Sequence, residues 1–302
     1  MLKAVVFGEV LFDIFPGEKC LGGAPFNFAF HLHGLGVPVV FVSRVGGDEL
    51  GQSILDYASA RGFPVEGIQV DPSHATGEVQ VSLDALGNPE FKILRDRAYD
   101  YIEQNAFVSS LLKQEPSLIY FGSLAQRNSV SANAIQNFLR TFSGRSTLFM
   151  DLNLRAPFYN RGIIESSLEF CDILKVSGEE LEELKTILAL GNDASHQDIV
   201  NHIQSQYKIQ WTCVTKGSDG SELYEAGTPA PIVQPASPPE RIQDTVGAGD
   251  AFSAMLAFGF LNNCPKPLAL ERASLFASKV CSIKGALPKD SDFYLPFRVE
   301  ND

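Results

Sequence analysis

Asp244-Thr-Val-Gly-Ala-Gly-Asp250 runs straight into Ala251-Phe-Ser-Ala-Met-Leu-Ala-Phe-Gly-Phe-Leu261, and this junction decides how the rest of the chain is read. The second stretch is apolar on every side, the pattern of a helix covered all round by other elements. The first stretch places small residues where that helix begins. A helix start exposes unpaired backbone N–H groups and a partial positive charge, and glycines let a phosphate approach them closely. Asp250, in the first turn, is favoured as a carboxylate by the same dipole, so it is predicted to stay ionised at neutral pH. A carboxylate beside an anion site suits phosphoryl transfer, in which positioning and charge stabilisation dominate and a carboxylate orients the attacking hydroxyl. Taken alone, the segment is better read as a tight turn and a helix cap.

Working outward, short apolar runs at Ala4–Phe7, Val39–Ser43, Leu118–Phe121, Thr147–Met150, Ile173–Val176 and Thr212–Thr215 read as buried strands. Between them Pro25–Leu35, Glu49–Arg61, Ser131–Phe142, Glu179–Leu190 and Gln197–Tyr207 carry apolar residues at helical spacing. This alternation predicts an α/β fold with a parallel sheet covered on both faces. Val79–Leu83 and Glu90–Leu94 alternate with period two around Gly87-Asn88-Pro89, which predicts an antiparallel hairpin. With Leu11–Phe15 it forms a small sheet beside the core, read either as a lid over a cleft or as an edge hairpin. Pro229–Pro239 holds five of the 17 prolines and reads as an irregular loop or edge strand.

The 302 residues are 45% hydrophobic and 20% charged, with a net charge of −12. That balance argues against a surface built to grip nucleic acid or an anionic membrane. The five cysteines form no CxxC pair, so neither a zinc site nor a disulfide framework is expected, and a reducing cytoplasm fits. Glu9 and Asp13 interrupt the first apolar run, which excludes a signal peptide reading, and Ala251–Leu261 is shorter than the roughly 20 residues a membrane span requires.

With Gly22-Gly-Ala-Pro-Phe-Asn27 near one end, Asp244–Asp250 near the other, Asp13 upstream and Asp151-Leu-Asn-Leu-Arg155 between, the chain resembles the ribokinase-type (PfkB) carbohydrate kinase family. Its bacterial fructokinase branch is the nearest. No GxxxxGK[ST], HRD or DFG motif is present, which removes the other common phosphoryl-transfer plans. The resemblance extends over essentially the full length, 1–302, as a single kinase domain. It implies a three-layer α/β/α core with a mostly parallel sheet and a β-sheet lid formed by about 11–22 and 76–96. It also implies ATP-dependent phosphorylation of a primary hydroxyl of a small sugar, fructose first, with ribose, 2-keto-3-deoxygluconate or a nucleoside as alternatives. A sugar- or nucleotide-binding regulator without turnover is the rival outside enzymes.

Residue by residue, the resemblance makes Asp250 the base, with the N–H groups of Gly247, Ala248 and Gly249 stabilising developing charge and Arg155 neutralising the transferring group. Asp13 closes the run after the first strand, where parallel strands open onto a crevice, and the family's matching Asp binds sugar. Gly22 and Gly23 allow close backbone approach, Pro25 fits the first helical turn, and Asn27 offers a donor and an acceptor to a hydroxyl. His31 and His33, two apart on a helix, face different sides and are read as core or solvent histidines rather than metal ligands. Phe91 and Arg97, with Arg95 competing, are lid candidates, and Asn153 is a sugar candidate.

On the nucleotide side, Ser177-Gly-Glu-Glu180 resembles the family's Asn-x-x-Glu motif with Ser in place of Asn. Glu180 would organise Mg²⁺ through water, although Glu179, Glu182 and Glu183 beside it also make an acidic helix face. Thr215-Lys216-Gly217-Ser-Asp-Gly220 is expected against the ATP phosphates and ribose, with a simple turn as the plainer reading. Asp244, Val246, Val280, Ile283 and Gly285 occupy the positions where relatives bind a monovalent cation such as K⁺. Relatives also dimerise through the lid. The expected partners are therefore a sugar, ATP and a second copy of the chain.

Overall fold

The computed structural model describes residues 2–83, 89–191, 193–239 and 241–298. Gly87 and Asn88, the predicted hairpin turn, lie outside them. Strands β1 (Ala4–Phe7), β2 (Leu11–Phe15) and β3 (Glu18–Gly22) precede helix α1 (Ala24–Gly34), strand β4 (Val39–Gly46), helix α2 (Glu49–Ser59) and strand β5 (Ile68–Asp71). β6 (Gly77–Leu83) and β7 (Pro89–Ile93) follow, then α3 (Ala106–Leu111), β8 (Leu118–Phe121), α4 (Ser129–Phe142), β9 (Thr147–Asp151) and α5 (Arg161–Leu168). The chain continues through β10 (Ile173–Ser177), α6 (Gly178–Ile187), α7 (His196–Tyr207), β11 (Trp211–Thr215), β12 (Ser221–Glu225), β13 (Ile232–Gln234), α8 (Ala248–Leu261) and α9 (Lys266–Val280).

The main sheet runs β13-β12-β11-β10-β9-β8-β1-β4-β5. It is parallel from β11 to β5, and β12 and β13 join antiparallel at one edge. Side chains alternate between faces along a strand, and the two cores follow that rule. Ala4, Val6, Tyr120 and Phe149 pack toward Phe26 and Phe28 of α1 and Ala251, Leu256 and Phe276 of α8 and α9. Val5, Phe7, Ile119 and Met150 pack toward Ile135 and Phe138 of α4, Ile164 of α5, Leu181 and Leu184 of α6 and Ile199 of α7. Helices therefore cover both faces, a three-layer α/β core. α8 is nearly all buried from Ala251 to Gly259, as its unbroken apolar sequence requires.

A second sheet, β3-β2-β6-β7, stands beside this core. The predicted hairpin is there, with Val81 opposite Phe91. β3 pairs antiparallel with β2, placing Cys20 opposite Asp13, and β2 pairs parallel with β6. β3 lies within the 11–22 stretch expected in the small sheet, although Glu18-Lys-Cys-Leu-Gly22 lacks the alternating apolar pattern that would mark it as a strand. The proline-rich segment does supply an edge strand, β13. His31 is fully buried with Nδ1 3.1 Å from the Tyr294 hydroxyl, and His33 packs edge-on to Phe63. Both are packing histidines.

In the β11–β12 turn one of the two positive-φ glycines also packs tightly against a neighbouring strand. Gly220 has φ 92°, and a Cβ there would lie 2.1 Å from the backbone oxygen of Gln234 in β13. Gly220→Ala should therefore cost on the order of 3 kcal/mol, combining strain with collision. Gly227, at φ 81° with open space around it, should cost only about 1 kcal/mol as alanine. Urea unfolding of the two variants measures the difference.

Candidate active site

The carboxyl ends of β1, β8, β9, β10 and β11 open toward the start of α8, and the candidate residues gather there. Gly247, at φ 77°, is the N-cap of α8, and no side chain caps the helix. A Cβ on Gly247 would sit 2.3 Å from that of Ala286, so only glycine lets the turn pack against the 285–286 segment. Ala248 N–H donates to Thr245 O at 3.3 Å, and the exposed Gly249 follows it in the first turn of α8.

Asp250 follows in the first turn, half-buried, and its Oδ2 accepts a 2.8 Å hydrogen bond from Asn27 Nδ2 on α1. This contact joins the two sequence motifs across 223 positions. Asn27 itself is buried, and its Oδ1 has no hydrogen-bond partner among the described residues. An unpaired buried acceptor is costly, so this atom is a ready partner for a donating hydroxyl. One of the two Asn27 Nδ2 donors is thus committed to Asp250.

The helix dipole is not the dominant influence on Asp250. Burial pushes its pKa up to about 6, the Asn27 hydrogen bond pulls it down, Asp151 adds to the rise, and Lys175 and Arg155 oppose it. The carboxylate still outnumbers the acid by roughly ten to one at pH 7. Glu9, buried at the end of β1, is pushed by burial to about 7, against a backbone hydrogen bond and the charges of Arg155 and Arg127 and with help from Asp250. Asp13 is raised by burial and lowered by Arg155. Arg155 thus acts on three carboxylates at once, although its guanidinium is exposed and among the described residues bonds only its neighbour's carbonyl, Leu154 O, at 3.1 Å.

Gly22 stands beside Asp13, since a Cβ there would come within 3.2 Å of Asp13 Oδ2. Gly23, at φ 109°, lies against the Glu9 backbone, where a Cβ would meet its oxygen at 2.6 Å. Asn153 has φ 44°, and its carbonyl lies 3.4 Å from Ser123 Oγ. Phe91 projects from β7 with 61% of its surface exposed. Arg97 sits at the base of the small sheet, its N–H bonded to Asp100, while the Arg95 guanidinium lies over the Phe158 ring.

The neighbouring strand ends hold the other group. Ser177 caps α6 reciprocally with Glu180: Ser177 N–H donates to Glu180 Oε2 at 2.8 Å and Glu180 N–H donates to Ser177 Oγ at 3.2 Å. Glu180 Oε1 also accepts from Leu154 N–H at 2.7 Å, so Glu180 anchors the turn that carries Asn153 and Arg155. Thr215 ends β11, and its hydroxyl reaches Val176 O at 3.5 Å. Lys216 is ion-paired with Glu222, and Gly217 and Gly220 close the turn with positive φ. Across the site, Asp244 accepts from Val246 N–H at 3.0 Å and Gly285 N–H at 2.9 Å. Val280 O accepts from Ile283 N–H at 3.1 Å. The five expected cation-site positions therefore lie on the loop before α8 and on the end of α9 with the loop after it, stitched together by Asp244.

Lys175, Ser253 and Glu9 have no role in the sequence motifs, and Asp151 enters them only as the first residue of Asp151–Arg155. Asp151, Lys175 and Ser253 form a buried network beneath Asp250, and Glu9 is the buried acid above. The signal for Lys175 was a lone charge inside the apolar strand Ile-Leu-Lys-Val-Ser.

The pfkB family carbohydrate kinase profile matches residues 5–291. The chain is 30% identical over 273 residues to an uncharacterized sugar kinase of Pyrococcus horikoshii, covering 88% of this chain and 81% of that one. Their structures superpose with a TM-score of 0.81 over 98% and 97% of the two chains. It is 29% identical over 324 residues to fructokinase-1 of Oryza sativa, 98% of this chain and 95% of that one. A Vibrio cholerae fructokinase with fructose, ADP and potassium ion bound shares the fold, with a TM-score of 0.76 at 22% identity over 98% of each chain. The chain belongs to the pfkB family of carbohydrate kinases and is a sugar kinase.

Proposed function

We propose that this sugar kinase transfers the γ-phosphoryl group of ATP to a primary hydroxyl of a small sugar, converting fructose to fructose 6-phosphate. The observation that carries the reading is the Asn27–Asp250 hydrogen bond. It sets an ionised carboxylate beside an uncapped helix start and an unpaired buried acceptor. Asp250 takes the proton of the hydroxyl bound next to Asn27 Oδ1. The N–H groups of Gly247, Ala248 and Gly249 receive the negative charge that develops on transfer, and Arg155 supplies a mobile cation over the same space. Asp13, with Gly22 and Gly23 opening the space around it, accepts hydrogen bonds from the other sugar hydroxyls. The small sheet closes over the sugar as a lid that excludes water, with Phe91 and Arg97 on it and Asn153 facing it. Lids of this kind also offer a surface for a homodimer.

ATP lies along the ends of β10 and β11, with Ser177, Thr215, Lys216, Gly217 and Gly220 lining it. Among the described residues no three His, Cys, Asp or Glu side chains gather as a metal cage. Both Glu180 oxygens already accept backbone N–H groups. These observations fit Mg²⁺ held by phosphate oxygens and by Glu180 through water, where it would offset phosphate charge. Asp244 spends its oxygens in the same way, which fits a K⁺ held by carbonyls of Val246, Val280, Ile283 and Gly285, with Asp244 setting their spacing. Five free cysteines fit a cytoplasmic setting, and among the described residues no helix is long and apolar enough to cross a membrane.

Fructose is favoured over ribose, 2-keto-3-deoxygluconate or a nucleoside by the fructokinase names among relatives at similar full-length coverage. ADP release coupled to NADH oxidation, run across these acceptors, should show fructose with the highest kcat/KM. A higher value for another acceptor reassigns the substrate, and no sugar-dependent ADP with any of them points to a binding protein. Because Asp250 must be ionised and its pKa lies near 6, kcat/KM should fall about tenfold per pH unit below that value and level off above pH 7.

A further inference from the structure

Tyr120, Asp151 and Lys175 occupy α8-facing positions toward the carboxyl ends of three adjacent strands. Period-two alternation puts Lys175 on the same face as Ile173, and Asp151 on the same face as Phe149. The parallel register sets Lys175 directly opposite Asp151. Both are buried, Asp151 completely and Lys175 at 8% exposure. Lys175 Nζ donates to Asp151 Oδ1 at 3.2 Å, and Ser253 Oγ, one turn into α8 from Asp250, donates to Asp151 Oδ2 at 2.7 Å. The ammonium ends 3.4 Å from the point where a Cβ on Gly249 would stand. It therefore lies under the helix start that carries the reacting carboxylate, and a larger residue at 249 would press on it.

A buried ion pair of this kind contributes little net stability, because desolvation offsets the attraction. A hydrophobic pair would fill a three-layer core as well. We propose that Lys175 is a positioning residue of phosphoryl transfer, a fixed cation that offsets Asp151 and holds Asp250 in its ionised form beneath the anion site. The proposal rests on Asp250 being the base.

The groups facing Asp250 show why such a cation is required. Glu9 approaches from the end of β1, Tyr120 from β8, Asp151 from β9 and Asn27 from α1, while Arg155 comes from the turn after β9. Two of these are acids, Tyr120 is held neutral by burial and by those acids, and Asn27 is neutral. Arg155 is exposed, its guanidinium bonded to Leu154 O. Lys175 is the cation that burial fixes in place. Burial works against its charge, but Asp151, Glu180 and Asp250 outweigh that and keep it protonated.

The two members of the pair act on Asp250 with opposite sign, so removing them one at a time gives opposite results. The Asp250 side-chain carboxyl, ¹³C-labelled and identified by its loss in Asp250→Asn, is titrated in the free wild-type protein, in Lys175→Met and in Asp151→Asn. The midpoint in Lys175→Met should exceed that in Asp151→Asn by about half a pH unit or more, and the acid limb of kcat/KM should move with it. If Lys175→Met does not fold, Asp151→Asn alone should fall below wild type, since its amide keeps the contacts to Ser253 and Lys175. Coincident midpoints, or a Lys175→Met midpoint below that of Asp151→Asn, overturn the proposal and leave the pair a packing feature. Failure of the base reading shows separately, as turnover that survives loss of Asp250 whatever the midpoints do.

Discussion

A carboxylate withdrawn from water at the first turn of an apolar helix is the constraint around which this kinase is arranged. Asp250 keeps its charge only because other groups compensate for lost hydration: the Asn27 amide, the N-terminal end of α8, and cations on β10 and on the turn after β9. Each compensating group comes from a different part of the chain. The site therefore exists only in the folded protein, and the fold must deliver several strand ends to one place. A parallel sheet does so, because its carboxyl ends open on one side.

The backbone meets the same constraint from the other direction. α8 can start where it does because Gly247 adopts a left-handed conformation against Ala286 and because Gly23 lets the motif before α1 lie on the Glu9 backbone. Asp244 and Glu180 use their carboxylates as braces, each accepting two N–H groups from separate segments. A braced carboxylate positions backbone without moving when a ligand arrives. The residues that resemble ligand contacts in sequence are thus partly frame and partly contact, and only the hydrogen-bond pattern separates the two.

Much of the fold was legible because buried parallel strands are continuous apolar runs and the helices between them keep a 3.6-residue period. β3 and β12 did not stand out as strands because Glu18–Gly22 and Ser221–Glu225 mix polar and apolar residues, β3 at an edge of the small sheet and β12 inside the main sheet between β11 and β13. Asp13, Gly22, Asn27 and Asp250 stood out as motif residues, but their pairing did not, since no local pattern reports a contact across 223 positions. Ser177-x-x-Glu180 carried a readable signal of a different kind. Ser-x-x-Glu ahead of apolar residues is a capping box, and the structure shows that bond pattern. The pairing of Lys175 with Asp151 was hidden, although one lies in a run read as a buried strand and the other opens a motif, because only the register reveals that each is the other's counterion.

The proposed role of the Asp250 carboxylate as proton acceptor is open to a direct test. Replacing it with asparagine preserves size and the hydrogen bond to Asn27 while removing the charge. With ATP, Mg²⁺ and the preferred sugar at saturation, Asp250→Asn should turn over about 10²–10⁴-fold more slowly than wild type, with calorimetric sugar affinity within a few-fold. Turnover near the wild-type rate would contradict the account.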